Sequence, residues 1–187
     1  MTDSINSLAR LALADLSAVL ENVPDEGIEK FIATIAGARR IALHGLGREG
    51  LQMRGLAMRL FHLGLDAHLV GDMTTPPLGA GDLLIVSAGP GDFTTIEALM
   101  NIAKAAGAKT AVVTAQTSGG AARRADVVLH IPAQTMANDQ LGEVSALPMG
   151  SLFEVAMMLV FEMIVLRIRD RIGETAESMR ARHTNLE

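Results

Sequence analysis

Short apolar segments alternate with segments of helical periodicity along most of this chain, and that alternation restricts the fold more than any other feature. Strands that alternate with helices are typical of a parallel sheet with helices on both faces. The sequence therefore predicts an α/β fold, a three-layer α/β/α sandwich around a five-stranded parallel sheet. The predicted strands are Ile41–His44, Ala67–Val70, Leu83–Ser87, Thr110–Thr114 and Val127–Ile131.

Further helices are predicted at both ends of the chain, and no linker divides the 187 residues into separate domains. A helical addition covers about residues 1–37, and a long helix with a polar tail covers about 151–187. The segment from Ser151 to Arg171 is apolar around most of its circumference, and such a helix must be buried. We therefore expect a homo-oligomer, a dimer or a tetramer. The longest apolar run, Val155–Ile168, is shorter than the ~20 residues of a membrane span.

Composition excludes several classes of function. The net charge is −5 and the chain has no Trp or Tyr, which argues against nucleic-acid binding. The absence of Cys excludes disulfides and thiolate zinc sites, and it is compatible with the cytoplasm. The first residues lack the basic and then apolar pattern of a signal peptide. We expect a cytoplasmic protein that interacts neither with nucleic acid nor with a membrane.

Two glycine-rich loops follow predicted strands. The first, His44–Gly50, leads into a helix, and so does the second, Ser87–Thr95. Ligands of open parallel sheets bind at the carboxyl ends of the strands, where such loops lie. Glycine lets the backbone approach a ligand, and a helix N-terminus offers free N–H groups to an anion. Each loop also carries an acid, Glu49 or Asp92, where an anion site would prefer a hydroxyl.

A dinucleotide-binding protein is the minor alternative. Gly45, Gly47 and Gly50 match the G-x-G-x-x-G fingerprint, and Asp72 could serve as its ribose-binding acid. The fingerprint alone is weak, however, and it leaves the second glycine loop unexplained. A chain of this length also has little room for a separate substrate domain.

Among the histidines and acids, two residues stand out as candidates for chemistry. His62 and His68 flank a helix-to-strand turn and are predicted to lie on the surface; none of the five His has metal-ligand spacing, so no metal site is predicted. His183 lies in a polar tail, and terminal residues are usually disordered unless they dock. Glu154 falls in the first turn of the long helix. It is either an acid that interacts favourably with the helix dipole or a general base whose pKa is raised by apolar neighbours. The spacing alone supports the first interpretation.

Several segments together resemble the sugar isomerase (SIS) domain family, and within it the 6-phospho-3-hexuloisomerases. Two of the matching segments, Pro148–Glu154 and Arg182–Leu186, are specific to this family, whereas glycine loops occur in many proteins. The matching segments are Gly45–Arg48, Leu56–Gly64, Val70–Pro76, Gly81–Ile85, Ala103–Ala108, Ala125–Asp126, Pro148–Glu154 and Arg182–Leu186.

The resemblance implies an isomerase that needs no metal or cofactor. Such an enzyme interconverts 3-hexulose 6-phosphate and fructose 6-phosphate by proton transfer through an enediol. Glu154 is the implied base, and His183 the implied ring-opening or proton-relay group, which can enter the pocket of a neighbouring subunit. The implied substrate-binding residues are Gly47, Arg48, Glu49, Ser87, Gly89, Gly91, Asp92, Thr94 and Thr95.

The chain departs from the family at its phosphate-binding loops. The family pattern Gly-Arg-Ser-Gly is replaced by Gly47-Arg48-Glu49-Gly50, and the second loop lacks the serines and threonine of Ser-Gly-Ser-Gly-x-Thr. The family serines hold the phosphate of the sugar. The alternative to a sugar-phosphate isomerase is therefore a non-catalytic or regulatory SIS module that binds a carbohydrate.

Overall fold

A parallel sheet lies at the centre of the computed structural model, which describes residues 4–139 and 145–186. Its strands are β1 (Ile41–His44), β2 (Ala67–Leu69), β3 (Leu83–Ser87), β4 (Lys109–Thr114) and β5 (Val127–His130). The five described strands lie in the order β2-β1-β3-β4-β5, and every pair is parallel. Ile41 of β1 is in register with Ala67 on one side and Leu83 on the other. The predicted fold class is confirmed.

The described residues also form seven helices, which include the helical addition predicted for about residues 1–37 and the long helix predicted from Ser151. The last helix falls where the sequence predicts only a polar tail. Thr175 starts it with a capping box, because Thr175 and Ser178 each accept a hydrogen bond from the other's backbone N–H. The helices are α1 (Ile5–Leu20), α2 (Asp25–Ala36), α3 (Gly47–His62), α4 (Thr94–Ala105), α5 (Gly120–Arg124), α6 (Ser151–Ile172) and α7 (Ala176–Ala181).

Helices cover both faces of the sheet. The larger apolar core joins α1, α2, α3 and α6 to one face and includes Phe31, Leu60 and Phe153. The smaller core joins α4 and α5 to the other face and includes Ile96 and Met100. All residues of β3 are buried, as expected for a central strand covered on both sides.

The strand order places a crevice between β1 and β3. The chain proceeds outward from β1 to β2, and then returns to the other side of β1 to begin β3. Consequently α3, which follows β1, and α4, which follows β3, pack on opposite faces. Ligands of such sheets bind outside the carboxyl ends of the strands at this reversal.

Helix α6 is buried on one side only. Its buried side chains include Phe153, Val160 and Ile164, whereas Met158, Leu159, Met163 and Leu166 on its other side are exposed. The neighbouring α3 likewise exposes apolar side chains (Leu51, Met58 and Phe61). Clusters of exposed apolar side chains are typical of interaction sites. No helix of the described ranges has both the length and the apolarity that a membrane crossing requires.

The prediction that His62 lies on the surface is wrong. Its side chain is buried, because the segment that follows α6 packs against the C-terminal end of α3. Arg182 donates a hydrogen bond from Nη1 to the His62 carbonyl oxygen at 2.9 Å, and the rings of His62 and His183 lie 5.2 Å apart. His68, which is also predicted to lie on the surface, is half-buried. Its Nε2 atom forms a hydrogen bond of 2.7 Å with Oδ1 of Asp66.

An arginine fastens this C-terminal segment. Arg182 donates two hydrogen bonds of 2.8 Å to the two carboxylate oxygens of Glu174. These bonds, together with one from Ser178, lower the pKa of Glu174 to about 2. The contacts of Arg182 and His183 with His62 dock this part of the tail on α3, whereas the residues from 184 to 186 are exposed.

Candidate active site

A cleft of about 220 Å³ opens at the crevice between β1 and β3. Four segments meet there: the start of α3, the loop after β3, the segment after β5 and the start of α6. Charged side chains and apolar walls together suit a small polar ligand. The lining residues are Leu46, Gly47, Arg48, Glu49, Pro90, Phe93, Thr135, Met136, Met149, Gly150, Phe153 and Glu154.

A left-handed turn directs the start of α6 toward this cleft. Met149 has a φ of 52°, which is uncommon for a residue with a side chain, and Gly150 has a φ of 77°. A Cβ atom on Gly150 would lie 2.9 Å from the backbone nitrogen of Met136, so only glycine allows this approach. Such backbone strain concentrates at functional sites. The turn places Glu154, in the first turn of α6, on the wall of the cleft.

Glu154 is a nearly buried acid without ordinary hydrogen-bond support. Its side chain is 13% exposed, and its Oε2 atom is buried and accepts no hydrogen bond. Burial raises the pKa of the Glu154 carboxyl, and the positive charge of Arg48 offsets part of that rise. Arg48 Nε lies 2.6 Å from Oε2 in an ion pair, without the alignment of a hydrogen bond. Of the two interpretations of Glu154, these features favour the general base.

Glu49 joins the two glycine loops. Its Oε2 and Oε1 atoms accept from the Gly89 backbone N–H at 3.0 and 3.3 Å. Burial raises the pKa of Glu49, and the Gly89 N–H partly offsets that rise. A Cβ atom on Gly89 would lie 2.7 Å from the Phe153 ring and 2.8 Å from Glu49 Oε1. Only glycine therefore fits between the Phe153 ring and the Glu49 carboxylate.

Sequence comparison places the whole sheet within one family. The SIS domain model matches residues 34–167, a range that contains all five described strands and the cleft. The chain belongs to the SIS domain family. The predicted family is thereby confirmed.

Relatives of this SIS chain extend over nearly its full length. It is 38% identical to a 3-hexulose-6-phosphate isomerase of Mycobacterium gastri, over 97% of this chain and 89% of the relative. It is 33% identical to a 3-hexulose-6-phosphate isomerase of Methylomonas aminofaciens, over 98% of this chain and the whole relative. A solved Methanococcus jannaschii protein, with an inferred function of 3-hexulose-6-phosphate isomerase, superposes with a TM-score of 0.80. That protein is 25% identical, and the match covers 97% of this chain and 98% of the other.

The SIS cleft brings together only some of the predicted site residues. Gly47, Arg48, Glu49 and Glu154 line it, and Gly89 contacts it through Glu49. Ser87 lies behind Glu49 and is fully buried. Its hydroxyl makes no hydrogen bond of ordinary geometry, but its proximity lowers the pKa of the Glu49 carboxyl.

Four predicted residues of the second loop lie outside the cleft lining. Asp92 Oδ1 accepts from the Ala121 backbone N–H at 3.0 Å, so this acid serves the N-terminus of α5. Gly91 packs against the loop that precedes α5. Thr94 and Thr95 are exposed at the start of α4. Of the two loop acids, Glu49 alone faces the cleft.

His183 does not reach the cleft of its own chain. It lies against His62, at the far end of α3 from Gly47. The 15 residue steps from 47 to 62, at about 1.5 Å each, separate the two ends of α3 by about 22 Å. A role for His183 in catalysis therefore requires a second subunit, and it stays a prediction.

Two residues that line the cleft, Thr135 and Met136, are not among the site residues predicted from the sequence. Thr135 and Met136 follow β5, in the predicted loop from Ala133 to Pro148, and residues 140–144 of that loop lie outside the described residues. Its length was the available signal, because loops beyond ~12–15 residues are usually functional. Asp72, the acid of the dinucleotide alternative, lines a separate cavity of about 230 Å³ with Arg54 and Thr75. In the described ranges no three His, Asp or Glu side chains are grouped to hold a metal ion.

Replacing Arg48 by glutamine should move the acidic limb of activity to higher pH. Arg48 lowers the pKa of Glu154, so its removal leaves burial unopposed and the pKa rises further. A base works only when ionised, and activity falls as the pH drops through its pKa. The quantity to measure is the pH at the midpoint of the acidic limb of kcat/KM. The maximum of kcat/KM is not informative here, because Arg48 also lines the cleft and its loss can lower substrate affinity. A midpoint that stays fixed or moves to lower pH would contradict the pairing.

Proposed function

We propose that this chain is a sugar-phosphate isomerase that interconverts 3-hexulose 6-phosphate and fructose 6-phosphate. The observation that carries the proposal is the nearly buried Glu154 carboxylate, which lies without a hydrogen bond to Oε2 in a cleft at the sheet reversal. Near-full-length relatives with the name 3-hexulose-6-phosphate isomerase support the same reaction.

The reaction moves one proton between neighbouring carbons. The two sugars differ in whether the carbonyl is at C3 or C2. Glu154 removes the proton from C2 of the 3-hexulose, and the electron pair forms the 2,3-enediol as the C3 carbonyl oxygen takes a proton. Glu154 then returns a proton to C3 while the C2 hydroxyl loses one, which leaves the carbonyl at C2. A carboxyl with a raised pKa suits both steps.

Arg48 supplies the positive charge that a phosphorylated substrate needs. Its side chain is 62% exposed at the cleft, where it can follow a ligand. Arginine presents several N–H donors in a planar fork that matches phosphate oxygens. We expect the guanidinium to contact both the Glu154 carboxylate and the phosphate.

Proton exchange in deuterated water tests the function directly. Incubation of the protein with fructose 6-phosphate in D2O should place deuterium at C3, because enediol formation releases that proton to the base and the solvent. NMR would follow loss of the C3 proton signal and appearance of the 3-hexulose. Unphosphorylated fructose is the matched control ligand. If fructose 6-phosphate shows neither exchange nor conversion, the proposed reaction is wrong.

One observation favours a second candidate, a carbohydrate-binding SIS module without activity. The Glu49 carboxylate already holds the Gly89 N–H in the cleft, so the phosphate loop is altered. A module of this kind would bind a sugar, with an increase in thermal stability, yet would catalyse no deuterium exchange. The D2O experiment, combined with thermal unfolding in the presence of each sugar, separates the two candidates.

A homo-oligomer, at least a dimer, is expected in solution. The exposed apolar side chains of α6 and α3 lie on neighbouring helices, which Arg59 and Glu162 join in an ion pair. Burial of this surface against a second copy removes apolar area from water at about 25 cal/mol per Å². Sedimentation equilibrium at micromolar concentration measures the mass. A monomer of 19.7 kDa would contradict the expectation; with a dimer or larger assembly, Met158→Asp should shift the mass downward.

A further inference from the structure

In the cleft, the carboxylate of Glu49 occupies the place beside the Gly89 backbone N–H. Gly89 follows β3 at the carboxyl edge of the sheet, and its backbone N–H donates to the Glu49 carboxylate. Glu49 comes from the other side of the crevice, in the first turn of α3. Its carboxylate thus spans from one glycine loop to the other.

Three features mark this position as suited to an anionic oxygen. The Gly89 N–H is a donor directed at an acid. Ser87 is fully buried, and its hydroxyl, which makes no hydrogen bond of ordinary geometry, lies beside the carboxylate and lowers the pKa of Glu49. The absence of a side chain at Gly89 leaves room for the oxygen, since a Cβ there would lie 2.8 Å from Glu49 Oε1.

We propose that Glu49 is a built-in competitor that occupies the anion position of the unliganded cleft, so that a sugar phosphate binds only by displacing or neutralising it. Glu49 thereby sets the preference of the cleft between phosphorylated and neutral sugars. The sugar-phosphate class rests on the proposed function; the competition between Glu49 and an incoming anion rests on the contacts of Glu49 alone.

The cleft is lined by more acids than cations, as this competition requires. Among its described lining residues, Glu49 and Glu154 are acids and Arg48 is the one arginine or lysine. Arg48 already pairs with Glu154, so Glu49 has no cationic partner among those residues. An incoming phosphate meets an uncompensated carboxylate, and charges a few Å apart near a protein surface repel each other by several times the thermal energy.

Calorimetric titration of matched variants tests the proposal. Glu49→Gln removes the charge and keeps an oxygen that can accept from Gly89, whereas Asp92→Asn removes a charge from the other loop, where the acid caps α5. Fructose 6-phosphate and inorganic phosphate are the anionic probes, and fructose is the neutral one. We expect Glu49→Gln to bind both anions at least about tenfold more tightly than the parent does. Asp92→Asn should bind them within about twofold of the parent, and affinity for fructose should not rise in either variant.

The outcomes separate this inference from the proposed function. If Glu49→Gln, with the thermal stability of the parent, binds the anions no more tightly than the parent, the inference is overturned whether or not the parent isomerises fructose 6-phosphate. An equal gain for fructose, or an equal gain in Asp92→Asn, also overturns it. Tighter anion binding by Glu49→Gln in a protein that isomerises nothing supports the inference and defeats the proposed reaction. If Glu49→Gln does not fold, Glu49→Ser is measured with the same criteria.

Discussion

Replacement of Glu154 by glutamine is expected to lower kcat by about 10²–10⁴-fold, the usual loss on removal of a general base. Glutamine has nearly the same shape as glutamate but cannot take a proton from carbon. Because Oε2 accepts no hydrogen bond in the parent, the substitution breaks none there, and it relieves the cost of burying a charge. The free energy of unfolding should therefore stay at or above that of the parent, and ligand binding should remain measurable.

Glu162 provides the matched control on the same helix. It lies two turns beyond Glu154 and pairs with Arg59 at 2.9 Å, outside the cleft lining. Glu162→Gln should therefore keep kcat close to that of the parent. Turnover by Glu154→Gln at the parent rate would mean that Glu154 merely favours the helix dipole, the alternative that its position in the first turn left open.

Loss of His183 is expected to lower turnover as well, by about 10²-fold or more if this residue acts as an acid or relay. His183→Asn removes the imidazole ring, and truncation after Arg180 should reduce turnover at least as much because Arg182, which joins the segment to the His62 carbonyl oxygen, is also lost. Thr184→Ala, at the next position, is the control and should keep the parent rate. Unchanged turnover in both His183 variants would remove His183 from the mechanism.

Mixing two inactive variants tests whether His183 acts across subunits. In one chain the His183 ring lies near the far end of α3 from the cleft, so an intact site needs Glu154 from one copy and His183 from another. Equal amounts of Glu154→Gln and His183→Asn chains, refolded together, should then recover roughly a quarter of the parent activity, because half of all dimers are hybrids and one of the two sites in each hybrid is intact. If the hybrids form and stay inactive, the two residues do not complete one site across subunits.

The positions of the secondary structure elements could be predicted from the sequence because they depend on local periodicity. Apolar runs marked all five described strands within a residue or so, and the apolar segment from Ser151 to Arg171 marked α6. The short helix α7 was missed, since its capping residues Thr175 and Ser178 lie in a polar segment without an apolar stripe. The burial of His62 was missed for the same reason: α7 and the residues after it cover that side chain.

Glu154 became a candidate base through the resemblance to the SIS family, since its spacing alone favours an acid at the helix dipole. The sequence by itself determined the fold class and the location of the cleft at the carboxyl ends of β1 and β3. These follow from the order of strands and helices, because parallel strands bring their carboxyl ends to one edge. The tertiary structure decided what the side chains do there. Glu49 and Asp92 occupy similar places in two similar loops, yet one faces the cleft and the other caps α5. That difference depends on which backbone N–H lies within reach of each carboxylate, and only the packing of distant segments sets those distances.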